Sequence, residues 1–263
     1  MENKITLITG ATSGIGAAYA KEFARQGYDL ILTGRRRELI ERNAQNIRDT
    51  YGVKVHILIA ELSKQDEVDK VIDDIKDKKI EVLVNNAGFG ITGYYQDTDI
   101  SSVCNLAQVN VLTPMKLIHQ VLPGMIKRKK GTIINISSEG IYMIVPGNAA
   151  YSGVKAFLKT FTEGLYMDLY GTGVRAMTVC PGLTHTDFHQ KLGLEQSRQI
   201  SKGMIQWMSP DTIVAESLKD LEKGRVVSLP GTHTKLLTCV FRLMPAKLYY
   251  KLLYQFSRKH FSK

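Results

Sequence analysis

Cysteine is scarce: Cys104, Cys180 and Cys239 are three, odd in number, far apart and outside any CxxC. That pattern excludes a disulfide framework and a zinc knuckle, and it fits a reduced intracellular compartment. Six histidines without ligand spacing lead us to expect no metal. Apolar runs fall short of the ~18 residues a membrane span needs. The opening Ile5-Thr6-Leu7-Ile8 is too short for a signal-peptide core. A cytoplasmic protein is expected. The most one-sided lack is of acid: from Lys223 to Lys263 there is no Asp or Glu, against nine Lys and Arg, nearly the whole net excess of +10.

What is present is ordinary for a globular chain: 44% apolar and 23% charged residues over 263 positions, which suit one α/β domain spanning residues 1–263. Short apolar runs at 4–9, 28–33, 53–59, 80–84, 131–137, 174–180 and 225–229 alternate with amphipathic stretches. That alternation predicts βαβ units and a parallel sheet covered on both faces. Cys180, in the apolar run Ala176 to Cys180, is expected to be a buried strand thiol. One long helix is predicted over 100–128, closing on Lys127-Arg128-Lys129-Lys130, cations at a negative helix end. Residues 183–206 are polar, carry Gly193 and Gly203, and lie past the C-terminal end of a strand. In an open α/β sheet that is the ligand edge, so this stretch is expected to form a substrate lid.

Between the first strand and first helix stands Thr9-Gly10-Ala11-Thr12-Ser13-Gly14-Ile15-Gly16. Its glycines let the chain turn sharply and let a pyrophosphate approach N–H groups at a helix N-terminus, where the macrodipole favours anions. Eighteen residues beyond Gly16, where an NAD enzyme carries an acid for the adenosine ribose, the chain has Gly34-Arg35-Arg36-Arg37. Guanidinium groups suit the 2′-phosphate of NADP, which a carboxylate would repel. The expected cofactor is NADPH/NADP+, with Arg35 foremost and Arg36 beside it.

Tyr151 lies thirteen residues after Ser138, and Lys155 four after Tyr151. On a helix the i,i+4 interval puts phenol and ammonium on one face, where the cation is expected to lower the phenol's pKa. A hydride arriving at a carbonyl carbon leaves an alkoxide, which needs a donor already in place. Side chains contribute no hydride, so the chemistry requires a cofactor.

Taken in order, TGxxxGxG, Asn85-Asn86-Ala87-Gly88, Asn110, Ser138, Tyr151, Lys155 and Pro181-Gly182-Leu183-Thr184-His185-Thr186 closely resemble the short-chain dehydrogenase/reductase family. The resemblance covers residues 4 to about 225. It implies a Rossmann-like, doubly wound, seven-stranded sheet and hydride transfer between a nicotinamide and a carbonyl or alcohol. It implies Tyr151 as general acid, Lys155 on the nicotinamide ribose, Ser138 (by its interval to the tyrosine, rather than Ser137) on the carbonyl oxygen, and Asn110 supporting a water relay. The cofactor-binding set it implies comprises Gly10, Thr12, Ser13, Gly14, Ile15, Gly16, Arg35, Arg36, Glu61, Leu62, Asn86, Ala87, Gly88, Pro181, Gly182, Thr184 and Thr186, with Tyr151 and Lys155. Glu61 departs from the family's usual Asp beside the adenine. Asn86 is expected to brace the strand end, and Thr186 to bond the carboxamide. A homodimer or homotetramer, paired through helices near 103–128 and 151–169, is the family default.

Gly90 to Tyr95, with Ile141, Tyr142, Met143 and Val145, should line a cleft for a small apolar carbonyl substrate. A looser likeness to lipid 3-ketoacyl reductases and 17β-hydroxysteroid dehydrogenases points to 3-oxoacyl thioesters or steroid-like ketones. After Pro245, Leu248, Tyr249, Leu252, Leu253 and Phe256 form one helical stripe and Lys247, Lys251 and Arg258 another. Such a tail, residues 235–263, suits peripheral contact with an anionic membrane, or packing on the chain's own core or a second subunit. Its interleaved charges do not suggest nucleic acid. The competing functional class is a dinucleotide-binding or membrane-docking module without turnover.

Overall fold

The computed structural model describes residues 4–192, 199–201 and 206–261. Its elements alternate as the periodicity predicts, in the order β1 (Ile5–Thr9), α1 (Gly14–Arg25), β2 (Asp29–Gly34), α2 (Arg37–Tyr51), β3 (Val55–Ile59), α3 (Gln65–Ile75) and β4 (Ile80–Asn85). There follow α4 (Ile100–Ala107), α5 (Thr113–Lys127), β5 (Gly131–Ile136), α6 (Ala149–Asp168), β6 (Val174–Val179) and α7 (Asp187–Lys191). The chain closes with α8 (Pro210–Glu222), β7 (Val227–Ser228), α9 (Thr232–Leu243) and α10 (Ala246–Phe261).

All seven strands pair in parallel, in the order β3-β2-β1-β4-β5-β6-β7. Because successive residues point to opposite faces, both faces must be apolar for such a sheet to be buried. Ile8, Leu32, Val84, Ile134 and Val179 pack on one face beneath Tyr19 and Phe23 of α1, Ile40 and Ala44 of α2, and Ile213 of α8. Leu7, Ile31, Leu83, Ile133 and Ala176 pack on the other, under Val71 of α3, Leu117 and Val121 of α5, and Leu165 of α6. Each fully buried side chain of this size is worth about 1.5–3 kcal/mol against exposure.

The predicted helix over 100–128 is real but not uniform. A π-helical turn, Gln108–Leu112, separates α4 from α5, and Asn110 stands in its middle. A single such turn widens the helix locally and redirects a side chain; no hydrophobic periodicity reveals that. The final strand is also shorter than the predicted 225–229. Strand order reverses between β1 and β4, which opens a crevice at the strands' C-terminal ends.

Candidate active site

The turn from β1 into α1 forms one wall of that crevice. Gly10 has φ +66°, and a Cβ there would lie 2.8 Å from Ala87 Cα. A Cβ on Gly16 would strike the Asn86 amide and the Gly10 carbonyl. The turn is therefore bare backbone laid against the end of β4. Asn86 holds it there, its Nδ2 donating to the carbonyls of Thr9 and Gly10 at 3.0 Å each, the bracing expected of it. Thr9 Oγ1 accepts from the N–H of Asn86 (3.0 Å) and of Ala87 (2.9 Å). Asn43 of α2, which the sequence did not single out, donates to the Thr12 carbonyl at 2.9 Å. Ser13 begins α1 without a side-chain cap bond, and no acid stands in the first turn. An anion is the natural partner for such a helix end.

The three arginines after β2 diverge. Arg35 Nη1 donates to Glu61 Oε2 at 2.9 Å, and Ser63 Oγ donates to Glu61 Oε1 at 3.0 Å. Burial raises the Glu61 pKa, but these bonds outweigh it and hold the carboxyl below its ordinary value. Arg36 crosses the glycine-rich turn, donating to Thr12 Oγ1 (2.9 Å) and Ser13 Oγ (2.6 Å) as well as to Asp187 Oδ2 on α7 (2.7 Å). Arg37 pairs with Glu41 on the exposed face of α2. Leu62 is buried, and its carbonyl accepts from Thr113 Oγ1 at 3.1 Å. Ile15 packs on the core.

The crevice thus fits a dinucleotide. It offers a turn of bare backbone whose glycines leave no room for a Cβ, a helix end without a side-chain cap bond, and at the rim, where a ribose acid would otherwise stand, the guanidinium groups of Arg35 and Arg36, paired with Glu61 and Asp187.

Across the crevice, α6 brings Tyr151 and Lys155 to the end of β5. Lys155 is 5% exposed, and its Nζ donates to the Ile136 carbonyl at 2.9 Å. Ser137 Oγ donates to the Lys155 carbonyl at 2.8 Å and is buried, so Ser137 braces α6 while Ser138 faces the cleft. Ser138 Oγ caps the turn that follows, accepting from the Gly140 N–H at 3.0 Å. Asn110 Nδ2 donates to the Leu106 carbonyl at 3.0 Å, whereas its buried Oδ1 has no partner. A Cβ on Gly88 would lie 2.6 Å from that Oδ1 and 3.2 Å from Lys155 Nζ. The π-helical turn therefore places an unmet acceptor in the lysine's neighbourhood, a group of the kind that a bound water satisfies.

The expected depression of the phenol is not what these surroundings produce. Burial pushes Tyr151 up to about 12 against a hydrogen bond with Ser138 that lowers it, and burial brings Lys155 down to about 8. The ammonium lies 5.9 Å from the Tyr151 ring centroid and spends its hydrogen bond on Ile136. Desolvation of both groups outweighs their mutual effect.

Pro181 and Gly182 carry the chain from β6 to the crevice. Thr184 is buried, with Oγ1 donating to the Gly182 carbonyl at 2.8 Å and its backbone bridging to Met208. Thr186 faces the glycine-rich turn, for a Cβ on Gly14 would lie 2.8 Å from its Cγ2. The predicted lid begins as α7, where Phe188 sits over Tyr151 with ring centroids 5.6 Å apart. Residues 193–198 and 202–205 of that lid lie outside the described residues. The two cleft loops meet where the Gly93 N–H donates to the Gly147 carbonyl at 2.9 Å.

Two contacts from the C-terminal region reach this site without any local sequence signal. Glu139, next to Ser138, is pushed up by burial against hydrogen bonds from Thr234 of α9 and the Leu183 backbone. Tyr249 of α10 donates from its hydroxyl to the Tyr142 carbonyl (3.2 Å) and accepts from the Ile144 N–H (3.1 Å). Cys180 is a buried thiol raised to about 11 by desolvation. Among the described residues no cluster of His, Cys, Asp and Glu is arranged to hold a metal, and no helix is long and apolar enough to cross a membrane.

The chain is similar to known proteins. The family model described as short chain dehydrogenase matches residues 4–197. Sulfoacetaldehyde reductase 2 of Chromohalobacter salexigens is 38% identical over 70% of this chain and 74% of its own length. The very-long-chain 3-oxoacyl-CoA reductase of Mus musculus is 31% identical over 96% of this chain and 79% of its own. Among solved structures, a short-chain dehydrogenase from Sphingobium yanoikuyae in complex with NADPH is similar, with TM-score 0.81 and 27% identity, covering 92% of this chain and 97% of that one.

Proposed function

This chain belongs to the short-chain dehydrogenase family, and on that premise we propose that it is an NADPH-dependent reductase of an apolar ketone or aldehyde. The observation that carries the proposal is the convergence of Ser138, Tyr151 and Lys155 opposite a glycine cradle rimmed by Arg35 and Arg36.

NADPH supplies the hydride when bound. The rest falls to side chains. The Gly10–Gly16 turn and the start of α1 would hold the pyrophosphate, Arg35 and Arg36 the 2′-phosphate, and Thr186 the carboxamide. Lys155 would hold the ribose, and Ser138 Oγ would fix the carbonyl oxygen. Tyr151, whose phenol burial keeps protonated at neutral pH, gives that oxygen its proton as the carbon is reduced, so that one carbonyl gains H⁻ and H⁺ and leaves as an alcohol. Asn110 Oδ1 would seat the water that returns a proton towards Lys155.

The walls favour apolar substrates. Ile91, Ile141, Met143 and Val145 are partly buried beside the Gly93–Gly147 contact, and none of the named wall residues is an arginine that would clamp a small anion. Likeness along 96% of this chain to a 3-oxoacyl-CoA reductase supports 3-oxoacyl thioesters, with steroid-like ketones next. Phe157, Tyr166 and Met167, exposed on α6, support a homodimer or homotetramer. The basic C-terminal segment supports peripheral contact with an anionic membrane.

NADPH oxidation measured side by side with acyl-thioester, steroid and simple aldehyde carbonyls tests the reading. Turnover with at least one apolar carbonyl, and a preference for NADPH over NADH, is expected. Tight NADPH binding with no oxidation across the panel would replace the enzyme with a binding module.

A further inference from the structure

We propose that the outer face of α9, with the basic edge of α10 beside it, docks this protein on an anionic lipid bilayer with the cleft wall directly behind. This deepens the peripheral contact suggested by the tail and changes the surface that makes it. The docking itself does not rest on the reductase reading.

Helix α9 sets Leu237 and Phe241 partly inward and leaves a second apolar stripe in solvent. It buries Thr234 and Thr238, 5% and 4% exposed, and turns out Leu236, Val240 and Leu243 at 63%, 46% and 80%. Positions i, i+4 and i+7 form one stripe, and a helix of a globular protein ordinarily sets such a stripe on the core. Helix α10 is anchored instead of free: Leu253 is 3% exposed and Tyr249 is hydrogen-bonded to the 142–144 loop. The stripe predicted for membrane contact is thus partly spent on the protein's own body, while Lys247 and Lys251 remain exposed.

Charge selects the occupant. Arg242, Lys247 and Lys251 are exposed around the apolar stripe, and from Lys223 onward the chain carries no Asp or Glu, although Lys235 on the same helix pairs with Glu216 of α8. Apolar side chains ringed by cations match an anionic headgroup layer over hydrocarbon. Two such faces from two copies of this chain would meet with like charges.

The inner side of the same helices lines the site. A Cβ on Gly182 would lie 2.9 Å from Thr234 Oγ1 and 2.8 Å from Glu139 Oε2, and Tyr249 grips the carbonyl of Tyr142. A bilayer against α9 would therefore lie one helix away from Ser138's neighbour.

Sedimentation of the full chain with vesicles of phosphatidylcholine, alone or mixed with phosphatidylserine, tests this without cofactor or substrate, so failure of the reductase assay leaves it intact. Binding should need phosphatidylserine and weaken with salt. A Lys or Arg near such a surface contributes about fivefold in partition. Lys247→Glu with Lys251→Glu should then cost at least about tenfold, and Leu236→Glu with Leu243→Glu a comparable loss, with melting temperatures kept. Equal binding to neutral vesicles, binding unchanged in both double variants, or no binding at all would overturn the proposal. So would a dimer in sedimentation velocity that Leu243→Glu dissolves while vesicles are ignored.

Discussion

Replacing Lys155 with methionine should stabilise the protein while ending its catalysis. The ammonium is 5% exposed and brought down from an ordinary 10.5 to about 8 by desolvation. At about 1.4 kcal/mol per pH unit, the folded chain disfavours the charged form by roughly 3 kcal/mol. Methionine has a similar length and no charge, but it abandons the bond from the ammonium to the Ile136 carbonyl, worth about 1.5 kcal/mol or more for a charged donor. A net gain of at most roughly 1.5 kcal/mol at pH 7 follows, or about 3 °C in melting temperature for a chain of this size. The pH dependence makes the test specific. A depressed lysine binds fewer protons folded than unfolded, so stability rises with pH from about 8 to 10.5 as the burial cost is relieved. The advantage of Lys155→Met should therefore be full at pH 7, nearly gone by pH 9.5, and reversed beyond the unfolded lysine's own pKa, where only the lost hydrogen bond remains. Tyr151 titrates in both proteins and cancels in the comparison. Melting curves of the two chains, without NADPH, at pH 7 and 9.5 measure this. Destabilisation at both, or a constant difference, would refute the claim that the buried cation strains the fold.

Arg36→Ala should weaken NADPH at least as much as Arg35→Ala does, with much smaller effects of either on NADH, in fluorescence titrations; equal losses for both cofactors would remove the phosphate role. Gly16→Ala should lower both the melting temperature and NADPH affinity, because the added methyl meets the Asn86 amide and the Gly10 carbonyl; a variant with unchanged melting and affinity would show that the turn has slack.

Features set by neighbours in the chain were legible before any coordinates. Seven apolar runs fell on the seven strands, since burial on both sheet faces imposes continuous apolarity. The glycine-rich turn and the Tyr151–Lys155 pair are legible in their spacing when taken with the motifs around them, because a tight turn and one helix face are local geometries. Features set by distant packing were not legible. The π-helical turn at Asn110 looks like ordinary helix in sequence. Arg36 meets Asp187 across 151 positions, and Tyr249 reaches Ile144 across 105; neither leaves a periodic trace. The phenol's pKa is not legible in sequence, because i,i+4 spacing reports proximity, whereas the balance of desolvation and charge depends on everything that covers both groups.

The central claim is that Tyr151 delivers the proton, and Tyr151→Phe, assayed for NADPH binding and for single-turnover reduction of an accepted carbonyl, tests it most directly. Retained binding with turnover reduced by a factor of about 10² or more is expected from loss of a general acid. Turnover near that of the unaltered protein would contradict it.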